Sequence, residues 1–269
     1  MAEFASGYAA VNSLDMYYEI HGGGSPLVML HGGLGATATL QPALQALAQN
    51  RQVIAADLQA HGRTADIGRP LRYELMADDI SALLRHLAIA RADIMGYSLG
   101  AGVAVQTAIR HPGQVRKLVV VSAPFKRQGW FQEILDAMAD LGPRTAELLK
   151  QSPLYENYSR IAPQAADWPV LFVKLRELLS QDYDWSDAVA AMAIPTLLVM
   201  ADADSIPVAH AAEFFALLGG GQRDAGWDGA LRSPSQLAIL PGTTHYNILA
   251  SSALPAAVAA FLDSSMSKG

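Results

Sequence analysis

Five short runs in this chain are apolar without alternation, four of them after a single polar first residue: residues 52–56, 94–97, 117–121, 196–200 and 236–240. A strand with one wet face alternates apolar and polar residues. A strand apolar on both sides has to be covered on both faces, as parallel strands are. Between the runs lie helical patterns. Leu75, Met76, Ile80, Leu83, Leu84 and Leu87 recur at spacings of three and four, and residues 101–109, 208–218 and 255–262 read as further helices. The alternation predicts an α/β fold: a doubly wound, mostly parallel sheet of about eight strands with helices on both faces. Two earlier runs, 16–20 and 26–30, flank the turn-like segment His-Gly-Gly-Gly-Ser and read as an antiparallel pair.

One stretch breaks this rhythm. Residues 124–193 contain no convincing strand and read as helices punctuated by Pro143, Pro153, Pro163 and Pro169. The stretch is too long for a loop in a compact domain. It predicts a helical cap (124–193) inserted into a core built from residues 1–123 and 194–269. With 51% hydrophobic residues in 269, the chain has ample material for one large core. A net charge of −6 without basic runs points away from nucleic acid and anionic membranes. The absence of cysteine excludes disulfides and thiol nucleophiles. Residues 1–7 lack the pattern of a secretory leader, and no apolar run reaches the roughly 18 residues of a membrane span. The expectation is a cytoplasmic protein.

The segment Gly-Tyr-Ser-Leu-Gly, residues 96–100, sits where a strand turns into a helix. In a G-x-S-x-G turn of this kind the glycines avoid collisions and the serine is lifted above the sheet edge. The N–H of Leu99 then lies at a helix N-terminus, where unpaired donors favour negative charge. A nucleophilic serine needs a base and the base needs a carboxylate, here expected in the order Ser, acid, His, each after a later strand. Of seven histidines, His21, His31, His61 and His86 precede Ser98; His111 ends the following helix and His210 lies within a helical pattern. His245, just past the last strand, remains as the base. The acid is Asp202 or Asp204, both following the strand at 196–200. For the oxyanion, the N–H groups of Gly33 and Leu99 are the expected donors. His31 is expected to hold its loop.

Taken together, "LHGG", "DLQAHGRT", "GYSLG", "MADAD" and "PGTTH" resemble the α/β-hydrolase fold family, in its serine-nucleophile, esterase-like branch. The resemblance spans nearly the whole chain. It implies a serine hydrolase with the triad Ser98, His245 and Asp204, the acid taking the later position of the aspartate pair. The implied activity is a carboxylesterase acting on small, largely apolar or aromatic esters, with no cofactor and no metal. The partner is a small-molecule ester. Two positions depart from the family pattern. Ala60 and Ala201 stand where relatives usually carry glycine, the first expected at a tolerant surface turn.

Other readings compete. The same scaffold carries C–C bond hydrolases, lactonases, perhydrolases and acyltransferases, or a receptor that only binds. "LHGGLGATATL" also holds G-x-G-x-x-A (Gly33, Gly35, Ala38), with Asp57 about twenty residues on, close to a dinucleotide fingerprint. An NAD-dependent oxidoreductase would leave the ordered Ser, Asp and His unexplained. Aromatic residues crowd the cap. Phe125, Trp130, Phe131, Tyr155, Tyr158 and Trp168 are candidates for a pocket roof, although a small helical unit also needs such residues for its own core. The segment 219–235 precedes the last strand and is expected at the opposite sheet edge, so Asp224, Trp227 and Asp228 are assigned to the surface or a subunit contact.

Overall fold

A computed structural model describes residues 4–264. The leader reading of residues 1–7 therefore falls partly outside the described residues. One eight-stranded sheet organises the chain, in the order β1-β2-β4-β3-β5-β6-β7-β8. Its strands are β1 Ala5–Val11, β2 Leu14–His21, β3 Ser25–Leu30, β4 Arg51–Ala56, β5 Ala92–Tyr97, β6 Val115–Val121, β7 Thr196–Ala203 and β8 Gln236–Thr244. From β4 to β8 every neighbouring pair is parallel. The interior strands are buried along most of their length, as their unbroken apolar runs require.

The start of the sheet corrects one expectation. Residues 16–20 and 26–30 are strands but not a pair. β2 runs antiparallel to β1 and β4, while β3 lies between β4 and β5. The glycine-rich connection, with Gly22 at φ +68° and Gly24 at φ +106°, steps β3 past the place that β4 takes. The true hairpin is β1–β2, turned at Asn12 and Ser13, both with positive φ. That conformation suits a tight two-residue hairpin. β1, with the sequence ASGYAAV, lacks the residues that announce a strand.

Helices cover both faces. On one side α1 (Gln41–Leu47) and α10 (Ala253–Asp263) pack over Leu27, Met29, Val119 and Val199. On the other, α2 (Tyr73–His86) buries Met76, Ile80, Leu83 and Leu84 beside α3 (Leu99–Arg110). Glu74 opens α2, and Arg85 and His86 close it, each sign matching the helix dipole. α9 (Val208–Leu217) follows β7. Among the described residues no helix is long and apolar enough to cross a membrane.

Between β6 and β7 the chain forms α4 (Gln132–Ala139), α5 (Pro143–Leu148), α6 (Pro153–Ile161), α7 (Trp168–Leu179) and α8 (Ser186–Ala190). Pro143 and Pro153 occupy first helical positions and Pro169 the second. They start helices there, where a missing N–H is harmless. Trp168 and Phe172 are fully buried at the centre of this insertion, and Trp168 Nε1 donates to Ala146 O at 2.9 Å. The chain enters and leaves through adjacent segments: Arg127 N–H donates to Tyr183 O, and Trp185 N–H to Phe125 O. Lys174 of α7 ties the insertion to the core through Asp66, at 2.6 Å, and Arg69 O, at 2.8 Å.

Candidate active site

β5 ends at Tyr97 and α3 begins at Leu99, leaving Ser98 alone at the turn. Its backbone is strained, with φ 52° and ψ −117°. Such a conformation costs on the order of 1–3 kcal/mol and persists only where neighbours enforce it. Here they do. A Cβ on Gly96 would stand 2.1 Å from Gly100 O, and one on Gly100 would stand 2.4 Å from His31 O. Only glycine fits at either position, so the strand and helix close tightly around the serine.

The two later strands deliver the partners. His245 directly follows β8 and Asp204 directly follows β7. Ser98 Oγ lies 3.1 Å from His245 Nε2, and His245 Nδ1 lies 2.9 Å from Asp204 Oδ1. With the Nδ1 proton donated to the carboxylate, Nε2 carries the lone pair that faces the serine hydroxyl. Burial pushes the Asp204 carboxyl up. Hydrogen bonds from His245, Ser122 Oγ and the Ala201 N–H outweigh this and hold it below the ordinary carboxylate value.

Asp202 has a different task. It is exposed and accepts the N–H groups of Gly242 and Thr243, pinning the end of β8. These bonds, that from Gly242 foremost, hold its carboxyl below the ordinary value. Ala201 needs no glycine, because it is strand backbone whose N–H reaches Asp204 at 2.9 Å. Ala60 corrects an expectation. It is buried, not at a surface turn, and carries φ 65°. A side chain in that left-handed region costs roughly 1–2 kcal/mol.

Two neighbours escaped the sequence. Ser122, fully buried at the end of β6 with φ 51°, donates to Asp204 Oδ2 at 2.6 Å. Tyr97 donates its hydroxyl to His245 O at 2.6 Å, and its ring lies 5.3 Å from the imidazole. A serine and a tyrosine at strand ends carry no pattern of their own. Only the side-by-side placement of β5, β6, β7 and β8 brings them to the site.

Gly33 is exposed, and a Cβ there would meet nothing closer than Leu175 at 3.8 Å. Leu99 opens α3, so its N–H has no acceptor within the helix. Among the described residues neither N–H donates to an acceptor of the chain. His31 holds this loop: its Nδ1 donates to Gly32 O at 2.7 Å and its Nε2 accepts from Leu58 N–H at 3.1 Å. Asp57 is fully buried and accepts from the Thr37 and Arg63 N–H groups, both at 2.7 Å. Both of its carboxylate oxygens are thus engaged by the chain itself, in a buried position, which does not suit the ribose contact that the G-x-G-x-x-A reading needs. Among the described residues no group of three histidine or acidic side chains gathers as a metal site requires.

The aromatic candidates divide. Trp130 stands edge-on to His245, 5.6 Å between ring centres. Tyr158 is buried against Trp168 and also lines a cavity beside the Gly33 loop. Phe131 is partly exposed, its N–H donating to Ser205 O. Phe125 and Trp168 are corrections to the pocket assignment. Phe125 is sealed between His210 and Phe214, and Trp168 is the centre of the insertion's own core. Tyr155 packs on Trp168 as part of that core. In the 219–235 segment Trp227 is fully exposed.

The geometry now has a family around it. Residues 25–219 match the alpha/beta hydrolase fold family, and the chain belongs to it. It is a hydrolase of that fold. It is 27% identical over 217 residues to "Putative carbamate hydrolase RutD" of Azorhizobium caulinodans, covering 74% of this chain and 81% of that protein. It is 37% identical over 138 residues to 2-hydroxymuconate semialdehyde hydrolase of Pseudomonas sp. strain CF600, covering 47% and 46%. The fold of carboxylesterase CesB from Bacillus subtilis superimposes with a TM-score of 0.74 at 18% identity, covering 98% of this chain and 93% of that one.

Proposed function

We propose that this hydrolase is a serine carboxylesterase acting on a small, largely apolar ester, without a cofactor. The observation that carries the reading is the unbroken line from Ser98 Oγ through the His245 imidazole to the buried Asp204 carboxylate. Ser98 Oγ attacks the ester carbonyl carbon while its proton passes to His245 Nε2. Asp204 supports the imidazolium through Nδ1. The carbonyl electron pair moves onto oxygen, held by the Gly33 and Leu99 N–H groups. Collapse of this adduct expels the alcohol, which takes the proton from Nε2 and leaves an acyl-serine. Water, deprotonated by Nε2, then releases the acid and restores the serine.

Residues 124–193 serve as a cap over this site, on a core of residues 1–123 and 194–269, and Trp130 is the cap residue that meets His245. The relatives' names speak of a carbamate and a semialdehyde, so the bond hydrolysed is the variable to measure. A panel of esters, lactones, thioesters and carbamates is run beside labelling with a fluorophosphonate. Ester turnover is expected, with the label on Ser98. Ser98→Ala is expected to lose both, with a fall in kcat on the order of 10⁴ to 10⁶. Near-normal turnover in that variant, with an intact far-UV spectrum, refutes the assignment.

A further inference from the structure

A cavity of about 600 Å³ opens between the 34–39 turn of the core and α6 of the insertion. It is separate from the triad side chains but close to them. A Cβ on Gly32 would stand 3.3 Å from Ser98 Cβ. Leu34, two residues further along, already lines the cavity. Two residues of chain span at most roughly 7 Å, so the wall begins within reach of a group attached to the scissile carbonyl.

The chemistry of the lining is one-sided. Leu34 and Ala38 form an apolar floor, while Arg63 enters from the core and Arg160 from α6. Among the described residues no carboxylate lines the cavity. Arg63 is braced from behind: its guanidinium carbon lies 4.7 Å from the Tyr17 ring centre, and Nη1 lies 3.9 Å from Glu19 Oε1. That carboxylate is already engaged by Tyr17 and His21, at 3.0 and 2.9 Å, which leaves the guanidinium with donors to spare. Arg160 is exposed and is steered by Asn157 Oδ1, 3.0 Å from Nη2. Two guanidinium groups supplied by two different structural units, on the lining of one cavity with Leu34 and Ala38, suit a planar oxyanion that can be gripped from both sides. A neutral apolar substrate gains nothing from them, and wherever it covers a guanidinium it takes water from the charge without replacing it.

We infer that this cavity is a subsite for a carboxylate at the far end of the substrate. The preferred ester is then a monoester of an aliphatic dicarboxylic acid, its chain along Leu34 and Ala38 and its free carboxylate between Arg63 and Arg160. The inference rests on the Ser98 esterase reading and narrows its substrate class from apolar to apolar with a charged end.

The test compares monoethyl adipate with ethyl hexanoate, which differ mainly in a terminal carboxylate against a methyl group. In the wild-type enzyme kcat/KM is expected to favour the monoester by about tenfold, the scale of one charge-assisted hydrogen-bonded contact. Arg160→Met, on the exposed face of α6, is expected to lower the monoester-to-neutral ratio about tenfold, chiefly through KM, and Arg63→Met is expected to lower it also. Arg144→Met, an equal change of net charge on exposed α5, is expected to leave the ratio where it was. Equal turnover of the two esters by the wild type overturns the inference, as does a ratio unchanged by Arg160→Met and Arg63→Met together. A ratio that falls equally in Arg144→Met assigns the effect to net charge and also overturns it. Absence of turnover for both esters, with no fluorophosphonate label on Ser98, is the separate failure of the esterase reading and takes the subsite with it.

Discussion

The turn after β5 and the turn after β3 are both glycine-rich, both end a buried parallel strand and both lead into a helix. At the first, Gly96 and Gly100 leave no room for even one carbon, and the carbonyls of Leu30 and His31 press against Gly100. At the second, Gly33 lies open, and the chain passes through Leu34 at φ 60° before a short 3₁₀ turn at Thr37–Leu40. The first turn is locked by sterics and presents a side chain. The second is held by buried polar groups, His31 and Asp57, and presents its backbone. Glycine thus marks two needs here, close packing at Gly96, Gly100 and Gly32, where a Cβ would stand 2.8 Å from the Tyr97 ring, and free approach at Gly33. The sequence pattern G-x-G-x-x-A cannot tell them apart, which is why the second turn also looked like a dinucleotide fingerprint.

The sharpest way to break this contrast is at the serine's supporting acid. If the first turn works only by aiming Ser98 at an oriented base, Asp204→Asn should keep the fold yet lose about 10⁴ in kcat, because the imidazole adopts the wrong tautomer. Asp202→Asn should cost a modest fraction of rate, since its carboxylate accepts from backbone N–H groups, those of Gly242 and Thr243 among them, while His245 bonds to Asp204. Steady-state kinetics on both variants decide it. A crippled Asp202→Asn beside a healthy Asp204→Asn reverses the assignment.

A smaller effect is expected at the second turn. Gly33→Pro removes one N–H and should lower kcat by about 10² to 10³ if that donor serves the oxyanion. Gly33→Ala keeps the N–H and finds space, with Leu175 no closer than 3.8 Å, so it should retain most activity. Equal losses in the two variants would mean that the position matters for shape and not for its N–H.

Much of this was legible in advance, and the reasons differ by element. Strands β4 to β7 were readable because burial on two faces leaves little polar alternation, whereas β8 carries the same apolar run at the sheet edge, where Ile239 is exposed and only Leu240 of residues 236–240 is buried. Ser98 and His245 were readable because each sits alone at a strand end in the expected order. β1 was not, since its alanines, serine and glycine fit a strand only once Asn12 and Ser13 have turned it onto β2. Ser122 was not, because its bond to Asp204 joins residues 82 apart in the chain. The aromatic residues of the insertion were only half readable. Trp130 and Trp168 have the same composition signal, yet one meets His245 and the other fills a core.

The mildest prediction separates the turns by what holds them. Beneath the second turn, burial lowers His31 to about 4, and burial together with the neighbouring His31 lowers His61 to about 3. Both imidazoles are neutral in the fold, with ring centres 5.1 Å apart. In the unfolded chain each takes a proton below about 6.5, so between pH 6.5 and 4 the unfolded state binds more protons, and stability falls as the pH falls. Asp57 opposes this. Burial raises it to about 6 from 3.8, so between those values the folded state holds the extra proton and gains. Each tenfold difference in proton affinity between the two states is worth about 1.4 kcal/mol. Two histidines therefore outweigh one aspartate, and the net expectation is a loss of a few kcal/mol from pH 6.5 to 4. Urea unfolding across that range should show a falling midpoint with an unchanged slope against denaturant. Gly96 and Gly100 bring no titrating group to the first turn, and His210, also lowered by burial, adds to the loss from outside both turns, so the share of the second turn is read from a variant. His61→Phe should flatten the pH dependence by removing one of them. A wild-type midpoint that stays level from pH 6.5 to 4 would show that the polar network under the second turn is not what holds it, and the contrast between the two turns would fail.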